Sequence, residues 1–301
     1  MSDWRRWGPF LVAFGSLLWA TDAVFRAQLV SQYSALALVF INHLLCVLVA
    51  FPYLFFHRKE LKSLSLYDWF AALYLGVGSS SLAMIFFTKS FALSQNYTVP
   101  VLVQKLQPLI AISLAHIFLK ETLNRSFWYL TFFAFVGVYL VSFGADWVVS
   151  ALLGETSLPI LYALLAATIW GAGTVFGRSL MTTHRPELVT SLRYVVATVF
   201  LAIWMWTSGS YGELSSFDLS DLFYVTLMAI IPGYVALFLY YQGMMHTKAS
   251  VASLCELTFP VASILINWMF LGASLSSAQL IGAAILILSV TVLSLRQQEQ
   301  S

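Results

Sequence analysis

Charged side chains are scarce in this chain of 301 residues. Asp, Glu, Lys and Arg together make up 9% of the residues, whereas 60% are hydrophobic. A water-soluble domain carries roughly 25% charged residues, because polar groups must cover its surface. The scarcity therefore excludes a soluble protein and predicts a chain whose outer solvent is the lipid bilayer. The net charge of +2 is too small to indicate a nucleic-acid partner.

Cysteine and the common catalytic motifs are also scarce. The two cysteines, Cys46 and Cys255, lie in apolar stretches, which argues against a disulfide framework or a metal site. The sequence has no Gly-x-x-x-x-Gly-Lys-Ser/Thr loop for ATP, no metal-type cluster of His, Asp and Glu, and no Ser–His–Asp set at membrane depth. We therefore expect neither an enzyme nor a nucleotide-driven pump, and no cofactor or metal.

What the chain has in abundance is apolar stretches of about 20 residues, the length that crosses a bilayer as a helix. Ten such stretches, called spans 1 to 10 below, can be drawn at 8–25, 35–56, 67–87, 98–119, 127–145, 158–176, 188–207, 222–243, 250–271 and 278–295. We predict an all-α integral membrane protein with ten transmembrane helices. Trp4 to Leu11 resembles a signal sequence, but Asp22 interrupts the apolar stretch and no convincing cleavage site follows, so we expect it to be retained.

Lysine and arginine predict the orientation, because cytoplasmic loops are enriched in both. With the N-terminus in the cytoplasm, Arg26 and Lys89 fall outside and Lys105 and Arg193 fall within spans. The cytoplasmic side receives Arg5, Arg6, Arg58, Lys59, Lys62, Lys120, Arg125, Arg178, Arg185, Lys248 and Arg296. We predict a multi-pass protein of the inner (plasma) membrane with both termini in the cytoplasm.

The two halves of the chain repeat each other weakly, at offsets of 151 to 152 residues. Trp19 to Arg26 corresponds to Trp170 to Arg178, Pro108 to Pro260, and Leu119–Leu123 to Leu271–Leu275. The two prolines lie inside spans 4 and 9, where each removes an intrahelical hydrogen bond and should kink its helix. Five spans per half is an odd number, so the halves enter the membrane from opposite sides. We predict two inverted five-helix repeats, residues 1–150 and 151–301, a plan common in secondary transporters.

Several short stretches resemble the drug/metabolite transporter superfamily, in its ten-helix EamA-type branch. They are Leu18-Trp19-Ala20, Gln104-Lys105-Leu106-Gln107-Pro108, Phe118-Leu119-Lys120-Glu121-Thr122-Leu123, Ile169-Trp170-Gly171, Glu256-Leu257-Thr258-Phe259-Pro260 and Phe270-Leu271-Gly272-Ala273-Ser274-Leu275. The resemblance covers nearly the whole chain, and it departs at Ala273, where the family often has Glu. It implies export or exchange of amino acids, related metabolites or drugs, driven by gradients rather than by ATP.

Ionisable residues within the spans are the candidate site, because each costs about 3 kcal/mol or more to insert. At 1.5 Å per residue they fall into two layers, each about 4–7 Å from the bilayer midplane. The outer layer holds Asp22, His43 and Lys105, and the inner layer holds Arg193 and Glu256. The repeat relates Asn42 to Arg193 and Gln104 to Glu256, as expected if both halves line one cavity.

Two interpretations of these residues stay open. In one, Lys105 and Arg193 bind an anionic group of the substrate, with Asp22 or Glu256 as counter-charges or proton carriers. In the other, Asp22–Lys105 and Arg193–Glu256 are buried ion pairs that hold helices together. Trp19 and Trp170, both within about 3 Å of the midplane, either line the cavity or pack between the halves.

The function predicted from these features is a secondary transporter that works by alternating access on a small metabolite. An amino acid or related compound, moved outward, is the leading substrate. An exporter of drugs or quaternary cations is the alternative, and a channel is the alternative of a different class. The substrate-binding residues predicted are Trp19, Asp22, Asn42, His43, Gln104, Lys105, Trp170, Arg193 and Glu256. The expected partners are the substrate and the lipid bilayer, and the oligomeric state stays open.

Overall fold

The structure, a computed structural model, describes residues 7–26, 29, 32–93, 103–104, 106–143, 157–271 and 276–299. Over these ranges the chain is helical and contains no strand, which confirms the all-α prediction for the described residues. Its α-helices are α1 Gly8–Trp19, α2 Asp22–Arg26, α3 Ala35–Phe56, α4 Leu66–Leu73, α5 Ala83–Leu93, α6 Gln107–Phe118, α7 Arg125–Phe143, α8 Ser157–Met181, α9 Pro186–Ser208, α10 Leu219–Met228, α11 Ala236–Met244, α12 Ala249–Cys255, α13 Thr258–Leu271 and α14 Ser277–Glu299.

Five of the helical stretches are long and apolar enough to cross a bilayer. They are Ala35–Phe56, Leu66–Ser90, Leu158–Met181, Pro186–Ser208 and Leu219–Met244. Shorter apolar helices lie at Gly8–Trp19, Gln107–Phe118, Ala249–Ser263 and Ser277–Leu293. Large apolar side chains cover the outside of the bundle, with Phe56, Trp206 and Leu219 each more than 70% exposed. Such a surface suits contact with lipid rather than with water.

Two of the long helices begin with a reciprocal cap that the sequence encodes. Ser65 accepts the Asp68 backbone N–H ahead of α4, and the Asp68 carboxylate accepts the Ser65 N–H in return. Asp218 and Asp221 form the same arrangement ahead of α10. Each cap satisfies backbone donors that the first helical turn leaves unpaired.

Each of these capped helices contains a π-helical segment in its middle. Tyr74–Leu82 joins α4 to α5, and Ala229–Val235 joins α10 to α11. In the first segment, the Ser81 hydroxyl donates to the Gly76 carbonyl at 2.9 Å. In the second, the Cys46 thiol on α3 donates to the Ala229 carbonyl at 3.3 Å. Side-chain donors thus compensate carbonyls where the regular hydrogen-bond ladder changes.

Three of the predicted spans are interrupted rather than continuous. Span 1 breaks at Ala20 and Thr21 between α1 and α2, and span 9 breaks at Glu256 and Leu257 between α12 and α13. In the described part of span 4, Leu106 forms a turn ahead of α6. We expected kinks at Pro108 and Pro260, but each proline instead lies in the first turn of a new helix. A proline fits there because the first-turn N–H groups have no intrahelical partner.

Most helices find their main packing partners in the other half of the chain. α8 packs on α4, α5 and α6, a group called here the α8 bundle, and α1 packs on α11, α12 and α13, the α1 bundle. α3 packs on α9, and α7 packs on α14. The two bundles meet mainly where α6 contacts α12 and where α8 contacts α11 and α12. The candidate residues lie along this junction.

Candidate functional site

Glu256 lies in the break between α12 and α13, where side chains from three other helices converge on its carboxylate. Oε1 accepts a hydrogen bond from the Tyr240 hydroxyl at 2.6 Å and one from the Thr174 hydroxyl at 3.4 Å. Oε2 accepts one from the Gln107 amide Nε2 at 2.6 Å. All three donors are uncharged, and Gln107 and Thr174 belong to the α8 bundle. Glu256 therefore connects the two bundles at the point where α12 is interrupted.

Arg193, on α9, is the second charged group of the site. Its Nε donates to the Ser80 hydroxyl at 2.6 Å, and its Nη1 donates to the Tyr241 hydroxyl at 2.7 Å. The guanidinium also lies 5.8 Å from the centre of the Tyr241 ring, within the range of a cation–π contact. Ser80 belongs to the first π-helical segment, which thus presents a hydroxyl to the arginine.

The two charged groups are neighbours without being an ion pair. Glu256 and Arg193 each bond to their own neutral partners, and these partners include the adjacent residues Tyr240 and Tyr241 of α11. The Arg193–Glu256 ion pair considered from the sequence is thus not formed in this structure. A carboxylate and a guanidinium held apart in a low-dielectric region leave two opposite charges for a third group to contact.

The two midplane tryptophans are both packed against helices of this junction. The Trp19 ring centre lies 5.0 Å from that of Tyr240. The Trp170 indole N–H donates to the Ser79 carbonyl at 2.8 Å, and its ring meets Phe87 edge-on at 5.2 Å. Both side chains are half-buried.

Asn42 and His43 are buried on α3, 8% and 5% exposed. The His43 Nδ1 lies 2.8 Å from the Val39 carbonyl of its own helix, and its ring meets Tyr194 edge-on at 5.6 Å. Tyr194 follows Arg193 in sequence. The structure therefore places His43 behind the Arg193 segment, in the contact between α3 and α9, rather than beside Glu256.

Asp22 and Gln104 both lie beside helix interruptions. Asp22 is the first residue of α2, directly after the break in span 1, and is half-buried. Gln104 is helical and half-buried, and its Oε1 accepts no hydrogen bond from any described residue. Lys105 lies outside the described residues, and with it the Asp22–Lys105 pair considered above.

The structure adds five residues that the sequence interpretation did not include: Gln107, Thr174, Tyr240, Tyr241 and Ser80. Gln107 could have been found, because it belongs to the same short motif as Gln104 and Lys105. The others are neutral, and nothing separates the two tyrosines from the 14 in the chain. Their role emerges only from the packing of α8 and α11 against α12.

Comparison with known proteins decides the family. The profile of the EamA-like transporter family matches the chain twice, over residues 6–143 and 157–295. The chain belongs to the EamA-like transporter family. Its membership confirms a multi-pass membrane transporter rather than an enzyme, and it agrees with the resemblance drawn from the motifs.

Individual relatives agree with this family. The chain is 28% identical over 296 residues to the riboflavin transporter ImpX of Fusobacterium nucleatum, covering 95% of this chain and 97% of that protein. It is 25% identical to the uncharacterized transporter YwfM of Bacillus subtilis, over 64% of this chain and 62% of that protein. A solved crystal structure superimposes with a TM-score of 0.75 at 18% identity, over 97% of this chain and 98% of the other, which supports the fold alone.

Within this EamA-like transporter, the site combines one carboxylate, one guanidinium, amide groups and aromatic rings at interrupted helices. Such breaks are where transporters commonly bind their substrate, because free backbone groups and polar side chains meet there. The site residues offer hydrogen-bonding and stacking groups, and among the described residues no group of His, Cys, Asp and Glu is arranged to hold a metal.

Proposed function

We propose that this transporter is a secondary carrier that moves a small metabolite across the inner membrane by alternating access. The observation that carries the proposal is the Glu256 carboxylate, which three neutral donors hold at a helix break between two bundles. A charged side chain within the membrane costs free energy to insert, so its presence there points to a function. Because its partners lie on both bundles, movement of one bundle against the other changes what Glu256 contacts.

The proposal includes two inverted repeats of five helices, residues 1–150 and 151–301. The double match of the family profile supports it. The packing supports it too, because the contact of span 1 with span 8 has a counterpart in the contact of span 6 with span 3. Spans 2, 4 and 5 pack on spans 7, 9 and 10, their own counterparts in the alignment. The π-helical segments likewise fall in spans 3 and 8.

The proposed orientation has both termini in the cytoplasm. It rests on the distribution of lysine and arginine described above. Gly8, at the start of α1, lies beside His246 and Thr247, next to Lys248. We call this end of the bundle the Gly8 face, and the end that carries Tyr33 and Asp221 the Tyr33 face. The Gly8 face is the proposed cytoplasmic face.

We propose a flat heteroaromatic compound of the riboflavin type as the first substrate to test. The similarity to ImpX supports this choice, because ImpX is named a riboflavin transporter and its alignment covers 95% of this chain. The rings of Trp19, Trp170 and Tyr240 supply stacking faces, and Gln104 supplies a buried acceptor for a ring N–H. The direction of movement proposed is outward.

Amino acids stay as a second class of substrate, because one observation favours them. Arg193 and Glu256 carry opposite charges and are not paired with each other. A zwitterion could place its carboxylate near the guanidinium and its ammonium near Glu256, so that both site charges are neutralised on binding.

Counterflow in proteoliposomes tests the proposal. Proteoliposomes that contain the purified protein and are loaded with unlabelled riboflavin should accumulate labelled riboflavin transiently from outside. Parallel assays should use amino acids, nucleosides, organic acids and quaternary amines. Saturation and counterflow are expected of a carrier, whereas single-channel currents without counterflow would establish a channel instead.

Two substitutions test the site in the same assay. Glu256→Gln and Lys105→Met should abolish transport while the protein still inserts and folds. Glu60→Gln makes the same chemical change as Glu256→Gln in a short loop helix away from the site, and should leave transport intact. Transport retained in both site variants would remove these residues from the mechanism.

A further inference from the structure

A second carboxylate, Glu121, ties the two bundles together at the Gly8 face. Its Oε1 accepts the Ala249 backbone N–H at 2.7 Å, and its Oε2 accepts the Ser250 N–H at 3.1 Å and the Ser250 hydroxyl at 2.5 Å. Glu121 follows α6 of the α8 bundle, whereas Ala249 and Ser250 begin α12 of the α1 bundle. Three hydrogen bonds to one carboxylate make this a strong tie, since a hydrogen bond to a charged group is stronger than one between neutral groups.

The backbone before Glu121 is shaped for this contact. Lys120 has a φ of 52°, the left-handed region that non-glycine residues rarely adopt. The Glu121 carbonyl lies 2.9 Å from His116 Nδ1, and its N–H donates to the Ala115 carbonyl at 3.4 Å. The chain thus turns sharply at the end of α6 and fixes Glu121 to that helix, so that the tie moves with the α8 bundle.

A second tie crosses between the bundles on the same face. The Arg178 Nη1, on α8, donates to the Met244 carbonyl at 3.1 Å and to the Met245 carbonyl at 3.0 Å, at the end of α11. The Met244 carbonyl also accepts the Thr247 N–H at 3.3 Å, and the guanidinium adds a charged donor to the last carbonyls of α11. Met245 is followed by His246, Thr247 and Lys248, the segment that leads to the Glu121 contact.

We propose that Glu121 and Arg178 form a latch that keeps the carrier closed on the Gly8 face, and that its release opens the site there. The inference rests on the alternating access proposed above. The repeat alignment relates Arg178 to Arg26 but Glu121 to Ala273, a residue that cannot accept a hydrogen bond through its side chain. The position related to Glu121 therefore has no carboxylate, so this half of the latch has no counterpart in the repeat, and the Tyr33 face is the one that opens more easily in the resting carrier.

Distances between spin labels at the two faces test the latch without reference to any substrate. Labels at Trp7 and Thr182 report on the Gly8 face, and labels at Leu158 and Ser220 report on the Tyr33 face. All four positions are exposed. Thr182 and Leu158 lie at the two ends of α8, whereas Trp7 precedes α1 and Ser220 lies on the helical stretch that continues into α11. The labels require cysteines, so the buried Cys46 and Cys255 are first replaced by alanine.

Glu121→Gln should shift the populations by about tenfold toward a longer Trp7–Thr182 distance, because an amide places a donor opposite the α12 N–H groups. The Leu158–Ser220 distance should shorten in the same sample. Arg178→Gln should act in the same direction. Ser250→Ala removes one of the three hydrogen bonds to Glu121 and should give a smaller shift. It replaces Glu121→Gln as the test variant if that protein folds poorly. Glu60→Gln, on the same face, is the matched control and should change neither distance.

The reverse change completes the test. Ala273→Glu restores a carboxylate at the related position and should shorten the Leu158–Ser220 distance relative to the parent. Unchanged distances in Glu121→Gln and Ser250→Ala, with the protein folded, would overturn the latch and leave Glu121 as a helix cap only. Shifted distances in a protein that shows no counterflow would keep the latch and count against the carrier function, so the two failures are distinguishable.

Discussion

Helices α1 and α11 cross so tightly that adding a single methyl group at the crossing should push them apart. Gly243, on α11, faces Gly8 and Val12 of α1. A Cβ at Gly243 would lie 2.7 Å from the Val12 backbone nitrogen and 2.8 Å from its Cγ2, and closer still to the Gly8 carbonyl oxygen. These neighbours are mostly backbone atoms, which cannot move without the helix. Gly243→Ala should therefore displace α1 as a whole.

The size of the displacement follows from these distances. Ordinary van der Waals contact begins at 3.4 Å, so α1 must retreat by about 0.7 Å or more, enough to lose a quarter to a half of the dispersion energy of the displaced contacts. Inserting a methyl group into a tightly packed interior costs about 1–3 kcal/mol. Because α1 ends at Trp19 and Tyr240 lies on α11, the same shift loosens their ring contact of 5.0 Å.

Thermal unfolding of the purified protein in detergent measures this cost. Gly243→Ala should lower the midpoint by about 2–4 °C for each kcal/mol, by analogy with water-soluble domains. Gly212→Ala is the control, since a Cβ there meets nothing within 4 Å. Equal midpoints for the two variants and the parent would refute the tight crossing of α1 and α11, and with it the definition of the α1 bundle.

Three further outcomes are expected. Tyr240→Phe removes a hydroxyl donor from Glu256 and should raise the half-saturating substrate concentration in counterflow by about tenfold. Trp170→Phe removes the indole N–H donor and should lower stability to thermal unfolding by about 1 kcal/mol. The hydrogen bond to Asp221 raises the pKa of Tyr33 from 10.0 to about 12. This tie at the Tyr33 face should therefore be complete below pH 10 and lost as the pH rises through 12, and NMR of labelled tyrosine should show Asp221→Asn returning the Tyr33 titration toward 10.

The architecture was largely predictable because hydropathy and composition depend on the solvent around the chain. A bilayer requires long apolar stretches whose backbone groups are hydrogen-bonded internally, so apolar stretches of this length predict helices. The span boundaries at Ala35–Phe56 and Pro186–Ser208 agree with the prediction to within a few residues. Composition could not reveal the π-helical segments, since the side-chain donors that accompany them, Ser81 in the first and Cys46 of α3 in the second, are known only from the structure.

The two prolines indicate an irregularity in each helix but not its geometry. Pro108 and Pro260 predicted kinks within continuous helices. The helices instead stop before each proline and restart, because the preceding residues turn and the proline then fits the first helical turn. The interruption matters more than a kink would, since it places Glu256 at the turn where the backbone hydrogen bonds change from the α-helical spacing to a spacing of three residues.

The sequence predicted the charged residues of the site but not its neutral residues. Burial cost made Glu256 and Arg193 conspicuous, but it gave no indication of their partners, and the ion pair considered between them is wrong. Gln107 was within a recognised motif, whereas Thr174 and Tyr240 reach Glu256 only through the packing of α8 and α11. Sequence reasoning identifies costly residues, and the tertiary arrangement determines what compensates their cost.

The separation of Glu256 from Arg193 has a consequence for how a carrier could use them. A directly paired carboxylate and guanidinium would have to be parted before either could bind a solute, at the large cost of leaving buried charges uncompensated. Neutral donors such as the Tyr240 and Tyr241 hydroxyls can rotate from a site residue to a solute at much smaller cost, because only one hydrogen bond is exchanged for another. Because Tyr240 bonds to Glu256 and Tyr241 bonds to Arg193, each charged group has a hydrogen-bond partner and yet stays available to a solute. For a protein that must bind and release its cargo many times, exchangeable neutral partners are the arrangement that physical chemistry favours.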